Sequence, residues 1–232
     1  MMTTRYIRQT ALPEIGEEGQ KKIQQARVLL VGVGGLGSAS ALYLTAAGIG
    51  CLGLIDDDSV NLSNLQRQVL YTEEEIGLSK ANCAARRLKA LNRQLTVQAY
   101  NERLTTANAR SIISEYDIVV DGCDNYSTRY LINDTCLALG KPYVYGAIQE
   151  FEGQVSVFGY GNHPRSYREL YPHEANMTRL EPVKAVIGTT PAIIGSVQAN
   201  EVLKIIAGYG EVLSGKLWTI DLRNLQTFML NL

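Results

Sequence analysis

The chain has 232 residues, 22 Lys+Arg against 23 Asp+Glu, and a formal net charge of −1. That length fits one large domain, and 46% apolar with 19% charged residues is an ordinary globular composition. The near-zero charge excludes a binder driven by bulk attraction to nucleic acid or to a membrane surface.

No apolar run approaches the ~20 residues a membrane span needs. The N-terminal stretch has no apolar core behind its charges, so no signal peptide is expected. The four cysteines, Cys51, Cys83, Cys123 and Cys136, are scattered and form no C-x-x-C pair. That argues against a disulfide framework or a four-thiolate zinc site. They read as buried apolar thiols in a reducing, cytoplasmic compartment.

Residues 1–26 read as an N-terminal arm. Residues 27–34 form an apolar run ending in glycines, which predicts a parallel strand buried on both faces. Residues 35–50, rich in Ala and Leu with Gly at the end, predict a helix. Residues 51–56 predict a second buried strand, completing a β-α-β unit. Residues 57–78 are polar, irregular and long for a loop. A helix follows from Lys80, with Ser79 as its N-cap, then a strand at 95–100 and another at 117–122. Residues 126–139 predict a helix and 142–147 a strand. Residues 153–160 read as a strand on an antiparallel edge. Residues 161–184, polar and Pro-punctuated, read as a mobile loop. Residues 191–208 predict a helix with Pro in its first turn and Gly at its end. Two short strands, 216–221 and 225–230, close the chain. The alternation predicts a Rossmann-like, doubly wound α/β fold, mostly parallel and extended by antiparallel strands in the C-terminal half. The chain reads as one domain, with a nucleotide-binding half at 27–150 and a docking half at 151–232.

Gly32, Gly34 and Gly37 spell G-x-G-x-x-G after a strand and before a helix, and Asp56 follows at the end of the next strand. The glycines allow a tight turn and close backbone approach to phosphate, and the acid suits a pair of ribose hydroxyls. Any phosphorylated adenosine satisfies this pattern. Asp57 and Asp58 fit either a solvated turn or the site. Asn64 and Arg67 stand three apart, on one face if their loop is a helical turn. With Lys80 and the glycine loop they could surround a triphosphate, more positive charge than hydride transfer needs. Alone, Arg67 and Lys80 would read as surface charges. Asp124 and Asn125 end the fourth strand, beside the ligand crevice of such a sheet. Asp124 fits either a Mg²⁺ ligand or a helix N-cap, and the two residues can divide those roles.

Arg5–Gln9 (R-Y-I-R-Q), G-x-G-G-L-G, D-D-D-x-V-x-L-S-N-L-Q-R-Q, Lys80 and D-x-x-D-N together resemble the ThiF/MoeB/HesA family. The likeness runs from Arg5 to the turn at Gly208–Gly210, and S-N-L-Q-R-Q is its most specific part. The resemblance implies an ATP-dependent, Mg²⁺-requiring adenylyltransferase acting on the C-terminal GlyGly carboxylate of a ubiquitin-like sulfur carrier. It implies that Gly35 lies against the phosphates and Asp56 holds the ribose. Asn64, Arg67 and Lys80 would contact phosphates, and Asp124 would bind Mg²⁺. Asp58, Ser63, Leu65, Gln66 and Asn125 complete the implied nucleotide-contacting set. Arg8 would reach the partner's γ-phosphate across a homodimer. Such a reaction depends on positioning and charge stabilisation and needs no protein nucleophile.

The chain departs from the family pattern in two places. Ser166 and Glu169 stand where relatives carry a zinc-binding C-x-x-C, and the chain ends at Leu232 before a second pair, so no zinc is expected. His163 and His173 read as solvated. No cysteine follows Cys136, so the expected reaction stops at the adenylate and a separate donor supplies sulfur. The motif details favour the thiamine-pathway carrier, with the molybdopterin-pathway carrier as the alternative. A tRNA-modifying relative is disfavoured by the lack of a basic stripe. An inactive carrier-binding subunit is disfavoured by the joint presence of Arg8, Asn64, Arg67, Lys80 and Asp124. The expected carrier-docking surface is the strand near Val155–Phe158, the loop 161–184 and the last strands around Trp218 and Phe228.

Overall fold

The computed structural model describes residues 4–179 and 185–232. Residues 1–3 of the expected arm and 180–184 of the expected loop lie outside the described residues.

In the N-terminal segment, a 3-10 turn leads into the short helix α1 (Ile7–Thr10), and α2 (Gly16–Gln25) follows. Then β1 (Arg27–Val31), α3 (Gly35–Ala47), β2 (Cys51–Ile55), α4 (Lys80–Leu91) and β3 (Thr96–Tyr100) build one half of the sheet. The other half follows as α5 (Ala109–Ser114), β4 (Ile118–Asp121), α6 (Tyr126–Leu139) and β5 (Tyr143–Gln149). After β6 (Glu152–Phe158) come the short helices α7 (Tyr167–Leu170) and α8 (Glu174–Met177). The long α9 (Thr189–Ala207) and the hairpin β7 (Lys216–Asp221) and β8 (Gln226–Asn231) complete the chain. The eight strands form one sheet in the order β3-β2-β1-β4-β5-β6-β7-β8. The first five are parallel and the last three antiparallel, as the strand pattern predicts.

Successive strand residues point to opposite faces. Val28, Leu30, Leu52, Leu54 and Val144 join the core under α3, α4 and α9. Leu29, Val31, Val119, Tyr143 and Tyr145 join the core under α5 and α6. Both faces are covered, which is why these strands read as unbroken apolar runs. Among the described residues no helix is long and apolar enough to cross a membrane.

The N-terminal arm is anchored, and two expectations are corrected. Tyr6 is buried against Gly48, and Asn92 Nδ2 donates to its hydroxyl at 3.0 Å. The segment after β6 is not irregular. Tyr167 is fully buried, with its ring centroid 5.0–6.0 Å from those of Tyr130, Tyr145, Phe158 and Tyr171. Ser166 and Glu169, at the positions compared with a metal-binding pair, form the capping box of α7. Val155–Phe158 is not a docking surface either: Val155, Val157 and Phe158 are fully buried. Trp218 packs against the core. Phe228, 60% exposed on the edge strand β8, lies open, as do residues 161–165 of the expected loop.

Gly48 caps α3 at φ 92°, and a Cβ there would lie 2.5 Å from the Tyr6 ring. Gly48→Ala therefore combines a left-handed alanine with expulsion of Tyr6, and should cost about 1–3 kcal/mol. Urea denaturation measures this, and an unchanged midpoint would refute the anchoring of the N-terminal segment.

Candidate active site

The glycine loop is shaped by close backbone contact. Gly32 turns the chain at φ 89°. A Cβ on Gly37 or on Gly122 would sit 2.2 Å from the Gly32 carbonyl oxygen. The end of β1, the start of α3 and the end of β4 are thereby pressed together. Gly34 caps α3 with no side-chain hydrogen bond, so the first N–H groups of a 13-residue helix are open to an anion. A Cβ on Gly35 would lie 3.0 Å from Pro191 and 3.5 Å from Arg67 Cγ, which brings the S-N-L-Q-R-Q segment to the mouth of the loop.

Asp56 ends β2. Its Oδ2 accepts the Val33 N–H and its Oδ1 the Asp58 N–H, both at 2.8 Å. Burial pushes its carboxyl above the ordinary range, and these two donors oppose the shift. Lys80, at the first position of α4 and 4% exposed, places Nζ 2.8 Å from Asp58 Oδ2. The carboxylates of Asp56, Asp57 and Asp58 lie within 4.8 Å of one another. Backbone donors and the Lys80 ammonium already occupy two of the three.

Asn61 accepts from Ser63 N and opens a helical turn. The N–H groups of Arg67 and Gln68 donate to the Asn64 carbonyl at 3.0 and 2.9 Å, so Asn64 and Arg67 do share one face. Arg67 also holds the turn through Nη1 to Ser63 O at 3.1 Å. Leu65 packs on the core. Gln66 reaches Val186 O at 3.4 Å, and its carbonyl abuts Gly188. Gln68 is 4% exposed and lies beside Gly34, and its Oε1 has no partner among the described residues. It stood in the quoted motif without a role. Its placement beside the glycine loop follows only from the turn.

At the end of β4 the two candidate roles separate. Asn125 caps α6, accepting from Thr128 N and Ser127 Oγ at 2.9 Å each. Asp124 is exposed, and among the described residues its side chain accepts one hydrogen bond, from Asn125 Nδ2 at 3.5 Å. An oxygen donor so weakly engaged fits a hard divalent cation better than the Asp56–Asp58 cluster does. Beneath Asp124 lies a network of which only Asp121, the first acid of D-x-x-D-N, and Cys123 stand within a motif. Buried Asp121 accepts from Arg129 Nε at 3.1 Å, Tyr143 Oη at 2.9 Å and Cys123 Sγ at 2.8 Å. Burial, then the charge of Asp121, raises the Cys123 thiol well above its ordinary value. Cys123 is thus a thiol that donates to a carboxylate at intermediate exposure, whereas Cys51, Cys83 and Cys136 are buried.

Arg8 is not brought to this site. It is exposed on α1, and its neighbour Gln9 donates to Ala47 O, at the far end of α3 from the glycine loop. Thirteen residues of helix separate them, about 20 Å.

A model of the ThiF family matches residues 6–232. The chain belongs to the ThiF family. This ThiF chain is 47% identical over 215 residues to the probable molybdopterin-synthase adenylyltransferase of Porphyra purpurea, covering 91% of itself and 56% of that protein. It therefore spans little more than half the length of that relative. It is 46% identical over 226 residues to the sulfur carrier protein adenylyltransferase of Thermus thermophilus, covering 94% of itself and 82% of that protein. Among solved structures, E. coli MccB with ATP superposes on this ThiF chain with a TM-score of 0.85 at 25% identity, over 99% of this chain and 71% of that one.

Two tyrosines test the network. Tyr143→Phe takes a donor from buried Asp121 and should cost about 1–3 kcal/mol. Tyr167 Oη, buried with no partner among the described residues, should be replaceable at no cost, with Tyr167→Phe neutral or stabilising by about 1 kcal/mol. Equal losses in urea denaturation would refute the assignment of donors.

Proposed function

We propose that this chain is an ATP-dependent adenylyltransferase that activates the C-terminal GlyGly carboxylate of a ubiquitin-like sulfur carrier. The observation carrying this reading is the meeting of an uncapped helix N-terminus, Arg67, Lys80 and the exposed Asp124 at the carboxyl ends of one parallel sheet. That set suits a nucleoside triphosphate whose α-phosphate is attacked. The carrier carboxylate oxygen forms a bond to the α-phosphorus, the bond to the bridging oxygen of pyrophosphate breaks, and an acyl-adenylate remains.

The N-terminus of α3 faces phosphate through Gly34 and Gly35. Asp56 accepts the ribose hydroxyls. Asn64 and Arg67 orient the phosphates, and Lys80 leaves Asp58 for the charge growing on the α-phosphate. Mg²⁺, held by Asp124, would neutralise phosphate charge. Because Arg8 stands a helix length from its own glycine loop, its role requires a second copy, and we infer a homodimer in which it serves the partner site. The name of the Porphyra purpurea relative favours the molybdopterin-synthase carrier over the thiamine carrier that the motif details suggested, while that of the Thermus thermophilus relative names a sulfur carrier of neither kind. The exposed edge around Phe228 remains the candidate docking element.

ATP–pyrophosphate exchange with Mg²⁺, run against one GlyGly carrier from each pathway, tests the reading. Exchange is expected with the molybdopterin-type carrier, and its absence with both would overturn the reading. Asp124→Ala should lower exchange by about 10²–10³. Mixing Arg8→Ala with Asp124→Ala subunits should restore part of the activity, since one hybrid site keeps both residues. No restoration would exclude action across subunits.

Asp56 adds a pH signature. Its carboxyl, raised by burial, takes up its proton at a higher pH than an ordinary aspartate, whose value is 3.8. A protonated carboxyl accepts ribose hydroxyls poorly, so nucleotide affinity should fall on acidification before pH 3.8 is reached. Titration calorimetry on chain still folded by circular dichroism checks this, and constant affinity down to pH 3.8 would contradict it.

A further inference from the structure

Asp124 sits in the short surface turn between β4 and α6, and a surface turn does not by itself hold a carboxylate still. The network below it supplies the missing rigidity. Asp121 is fully buried. Its Oδ1 takes Cys123 N–H at 3.0 Å and Cys123 Sγ at 2.8 Å, and its Oδ2 takes Arg129 Nε and Tyr143 Oη. Arg129, 8% exposed, turns its Nη2 to two main-chain carbonyls, Cys123 O at 3.0 Å and Gly146 O at 3.4 Å. The rings of Tyr126 and Tyr145 flank the guanidinium, their centroids 5.8 and 5.5 Å away. Burial opposes the Arg129 charge, yet Asp121 and its neighbours hold the guanidinium well above its ordinary value.

A buried ion pair is a poor source of net stability, because desolvation offsets most of its attraction. The geometry serves another end. A rigid fork bonds one carboxylate and, through its other arm, the peptide adjoining Asp124, while also gripping β5. A lysine carries the charge but cannot make that planar set of bonds.

We propose that Arg129, clamped by Asp121, is the positioning residue of the cation site, fixing the Cys123 peptide so that Asp124 is preset for the metal–nucleotide complex. This rests on the adenylyltransferase reading only in assigning a divalent cation to Asp124. Arg129 touches no phosphate and acts through the Cys123 carbonyl.

Arg129→Lys in the full chain tests this, with Mn²⁺ as a spectroscopic probe and a non-hydrolysable ATP analogue, so that no turnover is needed. Mn²⁺ affinity in the presence of the analogue, read by electron paramagnetic resonance, should fall about 10–100-fold. Analogue affinity without divalent cation should change less than about twofold, within the effect expected of a contact not made. Tyr143→Phe, which weakens the same carboxylate but leaves the fork on Cys123 O, should keep Mn²⁺ affinity within about twofold. Unchanged Mn²⁺ affinity in Arg129→Lys, or an equal loss in Tyr143→Phe, overturns the positioning role alone. An unsubstituted chain that binds the analogue without recruiting Mn²⁺ overturns it together with the cation assignment. A measurement free of any variant is amide exchange in the unsubstituted, nucleotide-free chain. Protection at Cys123 N–H comparable to the first turn of α6 supports a preset loop, and rapid exchange there overturns it.

Discussion

The carbonyl oxygen of Gly32 is the point on which this architecture turns. Gly37 and Gly122 both press on it so closely that neither position has room for a Cβ. Gly32 itself needs a left-handed turn, and a Cβ there would meet Gly122 O at 2.6 Å. The glycines are therefore needed as spacers as much as for phosphate access. They let the N-terminus of α3 and the turn bearing Asp124 approach to backbone contact. A methyl group at either position would separate the positive helix end from the carboxylate, and no single ligand could then engage both.

The same closeness recurs in how α9 is seated. A Cβ on Gly195 would lie 2.5 Å from Leu36 O, so α9 lies directly against α3. Gln198, buried on the next turn, donates to Asp121 O at 2.8 Å and Val144 O at 3.3 Å. Ser40 Oγ donates to Gly195 O at 3.0 Å. Pro191 in the first turn of α9 bounds Gly35. One helix thus braces the glycine loop, the end of β4 and the start of β5. The C-terminal half thus contributes to the rigidity of the half that carries the glycine loop.

The parallel strands and α3, α4, α6 and α9 were legible because each is long or wholly apolar, and its period survives in the residue order. The helices α2, α5, α7 and α8 were not. α5, α7 and α8 are short, and their register depends on a few contacts, such as buried Tyr167, that composition does not reveal. Asn64, Arg67 and Asn125 followed from local spacing, since a turn and a cap are local objects. The Asp121–Arg129–Tyr143 network did not, because its members come from two strands and a helix and meet only when the sheet forms. Val155–Phe158 was misread for a related reason. An alternating strand at an edge shows one inner face, but here β7 pairs along that edge, α9 covers Val155 and Val157 on one face, and Tyr167 packs on Phe158 on the other, so both faces close.

The pairing of Lys80 with Asp58 is how so buried a cation is balanced in this fold. An ammonium this buried needs a counter-charge. Asp58, with its side chain 69% exposed, supplies one that water can solvate in its place. In the proposed reaction, release of Lys80 toward phosphate therefore costs little, because the carboxylate left behind faces solvent while the lysine gains a stronger anion. Among the described residues Arg8 makes no such ion pair. It stands on an exposed helix whose neighbours anchor the far end of α3. A charge mobile within the site and a charge held outside it are two solutions to one electrostatic constraint. The buried interior tolerates only cations that are already paired, so an unpaired one must come from a surface, which in the proposed homodimer is that of a second subunit.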